Sequence, residues 1–251
     1  MILNDVGMIA ADTTRTKAYI QALIRNQIFP KYILLLINEG GSLLPGQINK
    51  TTIFDQETSF EQAADDCWSE EKFNPNVSLK NLLEISKIPY EISPCNDIND
   101  QAVTELLSKR PESVFIFSGF GGVLLKQSVL DTGKQFLHVH GGYLPLYKGS
   151  TTNYFSLLED NQMGASSIFL TKEIDSGPIL QRRQFPAPEN RKGIDHIFDS
   201  AARAKVLIDT LRSYIDSGRW DFQIENNEGG ETFYIIHPVL KHIAILGGGK
   251  T

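Results

Sequence analysis

The chain has 251 residues, 41% of them hydrophobic, and carries 24 Lys and Arg against 30 Asp and Glu for a net charge of -6, enough apolar content for one sizeable core and a small appended element. No stretch gathers basic residues into the footprint that a phosphate backbone requires, so nucleic acid is not an expected partner. Met1 to Asp12 lacks the basic start and apolar run of a secretion signal, and the longest aliphatic run, Tyr32 to Ile37, is far short of the roughly 20 residues that cross a bilayer, so a cytoplasmic protein without a membrane segment is expected. Cys67 and Cys95 stand far apart in polar surroundings and suggest neither a metal motif nor a disulfide framework.

Thr13 or Thr14 caps a predicted helix that runs to about Ile28 and is closed by Pro30; a strand, Tyr32 to Asn38, follows. From Glu39 to Pro75 the chain reads as polar and irregular, a surface segment. Leu79 to Ser86 has helical spacing, Tyr90 to Ile92 reads as a short strand, and Ile98 to Lys109 as a helix stopped by Pro111. Ser113 to Phe117 is the next strand, running into Ser118-Gly119-Phe120-Gly121-Gly122, where glycines allow positive φ or close approach of another backbone; a helix, Val123 to Leu130, follows. Phe136 to His140 reads as a strand and Asn153 to Glu159 as a helix capped by Ser or Thr. Gly164 to Thr171 and Ile179 to Phe185 read as a hairpin, Ile194 to Ile215 as a long amphipathic helix, and the tail from Asn226 as a turn leading into a final strand and helix. Strands alternating with helices through residue 160 predict a Rossmann-like α/β fold, a mostly parallel sheet with helices on both faces. Ligands of such sheets sit at the carboxyl ends of strands, which is where the loops at 118–122 and 138–150 fall.

His138 and His140 lie two apart at a strand end, so both imidazoles point to one face. Asp175, in Ile174-Asp175-Ser176-Gly177-Pro178, is either an ordinary Asx-turn residue or a carboxylate that orients an imidazole. Two histidines and one carboxylate also form a donor set that a metal with open coordination positions can use.

Taken together, His140-Gly141-Gly142-Tyr143-Leu144-Pro145-Leu146-Tyr147-Lys148-Gly149, followed by Ile174-Asp175-Ser176-Gly177-Pro178, resembles the formyltransferase family dependent on 10-formyltetrahydrofolate. In that family an Asn-x-His-x-x-x-Leu-Pro segment and a later Asp-x-Gly segment supply the catalytic trio. The resemblance covers about residues 110–190 well. It implies the formyltransferase fold, with residues 1–190 as the catalytic domain and 191–251 as a short C-terminal extension packed on it.

By the same resemblance, His140 is the catalytic histidine, Asp175 its orienting acid, and His138 fills the Asn position, where it would donate a hydrogen bond to a carbonyl oxygen as negative charge develops. Ser118, Gly119, Phe120, Gly121, Gly142 and Leu144 are implied to bind the donor, and Lys148, Gly149, Ser150 and Thr151 the acceptor; no metal is expected. The implied reaction passes a formyl group from 10-formyltetrahydrofolate to a small-molecule amine. Among the branches, the tRNA-formylating enzymes resemble a longer chain with an added basic domain, and the purine-nucleotide enzymes share an Asn and a glycine-rich opening not found here. A nucleotide-linked amino sugar is therefore the expected acceptor, with a homodimer left open. Hydrolysis of the donor, a metal-dependent reaction at His138, His140 and Asp175, and a non-catalytic ligand-binding protein are the competing readings.

Overall fold

A computed structural model describes residues 1–37, 72–220 and 226–247. The polar stretch from Glu39, apart from its last residues, lies outside the described residues, as does Cys67.

Seven strands form one sheet in the order β3-β2-β1-β4-β5-β7-β8. They are β1 (Ile2–Ala11), β2 (Phe29–Leu36), β3 (Tyr90–Ile92), β4 (Val114–Ser118), β5 (Gln135–His140), β7 (Gln162–Phe169) and β8 (Ile179–Pro186); a short β6 (Tyr147–Gly149) stands apart. The first five in this sheet pair in parallel, whereas β5 with β7 and β7 with β8 are antiparallel, so the expected hairpin extends a parallel sheet.

Sequence reading missed β1, which lies inside the sheet between β2 and β4. Asn4 and Asp5 interrupt the first half of β1 and hide its strand character, yet Val6 to Ala11 are all buried, as expected for a strand covered on both faces. Gly7 is required there, because a Cβ would lie 2.5 Å from the Phe115 ring.

Helices cover both faces, as the alternation predicts. On one face α1 (Thr14–Asn26), α2 (Leu79–Ser86) and the long α6 (Asp199–Ser217) bury Tyr19, Leu23, Leu82, Leu207 and Leu211 against Met8, Ile33, Ile116 and Leu137. On the other, α3 (Gln101–Lys109) and the short α4 (Gln127–Leu130) bury Val103, Leu107 and Val129 against Ile9, Phe115, Phe117 and Phe136.

Several predicted ends move for local reasons. α1 is capped by Thr13, whose side chain accepts from the Thr16 amide, but it ends on Gln27 in the left-handed region, and Pro30 lies inside β2. α3 starts three residues later than expected, because Asp100 caps it. The helix expected from Val123 shrinks to α4, since Gly121 and Gly122 form a turn and residues 123–126 have no regular structure. The helix expected from Ile194 begins as a π-turn, Ile194–Phe198, before α6.

α5 (Thr152–Glu159) has a threonine at its cap, Thr151, but in the left-handed region and without a capping side-chain bond. The tail forms the strand and helix expected of it, β9 (Glu231–Phe233) and α7 (Pro238–Leu246), with β9 pairing in parallel with β6. Among the described residues no helix is long and apolar enough to cross a membrane.

Candidate active site

β5 ends at the carboxyl edge of the sheet, beside the end of β4, and its period of two puts His138 and His140 on the same side. The loop after it folds back under His140. Ser166 of β7, opposite His140 in the antiparallel ladder, accepts from the Leu144 amide at 2.9 Å and donates to the Gly142 carbonyl at 2.8 Å. Gly142 lies so close beneath the ring that a Cβ would sit 2.6 Å from His140 Nε2. The loop thereby brings the Tyr147 carbonyl to 2.8 Å from His140 Nε2, and a carbonyl only accepts, so Nε2 carries a hydrogen.

The other ring nitrogen, Nδ1, lies 3.3 Å from Asp175 Oδ2, and that same oxygen accepts from the Gly149 amide at 2.8 Å. Both members of the pair are buried. Burial pulls the His140 pKa below its ordinary value, Asp175 pulls it back up, and Arg203 pushes it down. His140 is therefore neutral at rest, in surroundings that offer its protonated form an acceptor on each nitrogen.

His138 is a different kind of base. Burial, then Arg15, Arg203 and His140, push its pKa well below 6.5, while a main-chain hydrogen bond to Phe117 favours the protonated ring, so the ring is the donor in that bond. Its Nδ1 is buried with no hydrogen-bond partner. In a neutral ring whose other nitrogen donates to Phe117, Nδ1 holds a lone pair, so it is an acceptor.

Ligand atoms of His138, His140 and Asp175 all lie within 4.8 Å of one another. His138 Nδ1 is uncommitted, and His140 Nδ1 faces the Asp175 carboxylate. The hydrogen bonding favours proton transfer.

The remaining predicted residues divide. Gly149 and Thr151 line a cavity of about 150 Å³, together with Gly141, Thr152, Asp199 and Arg203. Ser150 is exposed beside it. Lys148 is buried, and its ammonium is spent on the Asn227 carbonyl at 2.8 Å. Ser118 is turned into the protein, its hydroxyl shared with Thr16 at 2.8 Å and with Arg15 Nε at 3.3 Å, and the Gly119 carbonyl accepts from Arg15 at 2.5 Å. Phe120 packs on the core, Gly121 and Gly122 are exposed, and Leu144 is wholly buried against Ile168 and Ile179. Of the residues expected to bind the donor, then, Ser118 and Leu144 face inward.

Sequence reading missed the charges around the histidines. Arg203 donates to Asp199 at 2.7 Å and to the Val139 carbonyl at 2.7 Å, and it also acts on Arg15, whose pKa burial has already lowered. The i, i+4 spacing of Asp199 and Arg203 was legible as a helix ion pair. Its approach to β5 was not, because it depends on how α6 crosses the sheet.

Comparison with known proteins agrees with this geometry. The chain is 28% identical over 153 residues to a methionyl-tRNA formyltransferase of Finegoldia magna, a match covering 58% of this chain and 48% of that protein. The chain thus spans about half the length of that curated relative. A sugar N-formyltransferase from Shewanella superimposes over 97% of this chain and 87% of its own, with a TM-score of 0.55 at 15% identity. HypX from Aquifex aeolicus, solved with tetrahydrofolic acid, superimposes over 94% of this chain and 30% of its own, with a TM-score of 0.51 at 11% identity. At these identities the two structures speak for the fold. The sequence profile of the formyl transferase family matches residues 8–202, well over half of the chain and the whole stretch from β1 to the start of α6 that builds the histidine site, and the chain belongs to that family.

Proposed function

We propose that this protein transfers a formyl group from 10-formyltetrahydrofolate to an amine, and that the amine belongs to a nucleotide-linked amino sugar. The observation that carries the reading is the His140–Asp175 pair beside a second, neutral imidazole with an uncommitted lone pair.

The site fits such a transfer, because His138 Nδ1, a buried acceptor without a partner, suits an N–H of the attacking amine. Bound there, 10-formyltetrahydrofolate supplies the electrophilic carbonyl carbon. The chain's own residues handle the protons. His138 Nδ1 accepts the proton leaving the attacking nitrogen; a weak base suffices, since that nitrogen becomes acidic as its lone pair is committed. That proton passes on to His140, whose Nδ1 lone pair faces Asp175; the carboxylate stabilises the ring while it is charged, and His140 then gives the proton to the departing nitrogen, so that both imidazoles end neutral. Loop closure around His140 by Ser166 and Tyr147 sets these positions in advance.

Two features support an anionic small-molecule acceptor. Arg15 and Arg203 are close enough to act on each other, and Asp199, bonded to Arg203, offsets one of the two charges, leaving positive charge suited to a diphosphate. The cavity lined by Thr151 and Arg203 also has Gly149 in its wall, the residue whose amide donates to Asp175. The net charge of -6 argues against a polynucleotide acceptor. The division at residue 190 is part of the same proposal, with the extension a working part of the site, since Arg203 and Asn227 both reach into it.

The test is mass transfer from 10-formyltetrahydrofolate to a panel of nucleotide-linked amino sugars, with methionyl-tRNA as a second acceptor class. Formylated sugar is expected, with losses of about 10²- to 10⁴-fold in His140→Ala and about 10²-fold in His138→Asn. Formylation of the tRNA alone would overturn the acceptor, and formate release without an added amine would make the protein a hydrolase.

A further inference from the structure

Asp175 sits in the left-handed region at φ 49°, where L residues are uncommon and need outside support. The turn that follows is tight, since a Cβ on Gly177 would collide with the Phe169 carbonyl. The support comes from the tail. Asn227 Nδ2 donates to the Asp175 carbonyl at 2.8 Å and to the Gly177 carbonyl at 2.7 Å, both buried. Its own main-chain carbonyl accepts from Lys148 Nζ at 2.8 Å. Lys148 precedes Gly149, whose amide donates to Asp175 Oδ2. The bonds therefore form a closed ring through Asp175, Gly149, Lys148 and Asn227, gripping the carboxylate residue by side chain and backbone at once.

We propose that Asn227 is a positioning residue for Asp175: it fixes the turn from which the carboxylate reaches His140 Nδ1. This rests on the formyl-transfer reading of the site. Asn227 lies beyond residues 8–202, where the family profile matches, so the restraint is supplied by this chain's own tail. Its side-chain bonds run to the 175–177 turn, while its main-chain carbonyl ties the tail to Lys148 of β6.

The experiment compares the full-length wild type with Asn227→Ala and Asn227→Ser, reading the His140 imidazole titration by ¹⁵N NMR, with His140→Gln to assign its signal, alongside kcat and KM. Asp175 raises the His140 pKa, so a carboxylate set loose lets the midpoint fall, by roughly half a unit in Asn227→Ala. The same variant is expected to lose about 10- to 100-fold in kcat, with KM for both substrates within about twofold. Asn227→Ser, which keeps one donor, falls between, and it decides the matter if Asn227→Ala fails to fold by circular dichroism. A folded variant with an unmoved His140 midpoint and wild-type kcat overturns the proposal. If the wild type transfers no formyl group, the functional reading fails, while the His140 midpoint still decides whether Asn227 positions Asp175.

Discussion

At the scale of single residues, the two histidines differ in what their surroundings satisfy. His140 has an acceptor on each nitrogen, so its protonated form is provided for, whereas His138 donates to Phe117 and keeps a free lone pair. Both have pKa values held below the ordinary 6.5, with burial as the largest cause, as does His196. The folded protein therefore binds fewer protons than the unfolded chain below pH 6.5. Stability is full above that value and is lost as the pH falls toward the folded pKa values, with each such histidine adding up to about 1.4 kcal/mol per pH unit. Urea denaturation at steps from pH 7.5 to 5.5 checks this. His138→Asn is expected to give the shallower slope, and an unchanged slope would show that His138 is not held neutral by the fold.

Activity has its own residue-scale dependence. Asp175→Asn keeps the shape of the acid but loses the charge that steadies His140 when protonated. Transfer is expected to fall about 10³- to 10⁴-fold, read as kcat from the formylation assay. A loss of less than tenfold would leave Asp175 as a turn residue.

Among the elements, the short β6 carries more than its length suggests. It delivers the Tyr147 carbonyl to His140 and the Gly149 amide to Asp175, and it is held by β9 and by the stacking of Tyr147 on Phe233, ring centroids 5.6 Å apart. Gly149 sits at φ 96°, and a Cβ there would collide with the Phe233 carbonyl. Gly149→Ala is thus strained in its own backbone and parts β6 from β9. A destabilisation of more than about 2 kcal/mol is expected from urea unfolding, and a variant as stable as wild type would show that the β6–β9 contact yields cheaply.

For the molecule as a whole, the sheet order places β1 and β4 at the centre, with β3 and β8 at the edges and the β6–β9 pair outside. Central amides open only with the whole fold, and peripheral ones open locally. Hydrogen exchange is expected to be slowest in Val6–Ala11 and Val114–Ser118, and faster by orders of magnitude in Glu231–Phe233. Equal protection in β9 would mean that the tail and the sheet unfold as one unit.

The sequence by itself determined the α/β class, nearly every helix and strand between residues 79 and 140, and the candidate trio His138, His140 and Asp175 that the fold brings together. Those features are local: Leu79 to Ser86 shows its face in its own spacing, and His138, His140 and Asp175 stand inside a motif of family-like order. Tertiary structure alone decided the rest. β1 is hydrophobic enough only once both its faces are covered, and Gly7 has a reason only when Phe115 lies over it. The direction of the His138 lone pair follows from a bond to the neighbouring strand, and the grip on Asp175 comes from a residue 52 positions away. Periodicity reports what a segment buries, whereas partners that arrive from distant segments leave no mark on the local pattern, which is why the candidate trio was legible and what holds it in place was not.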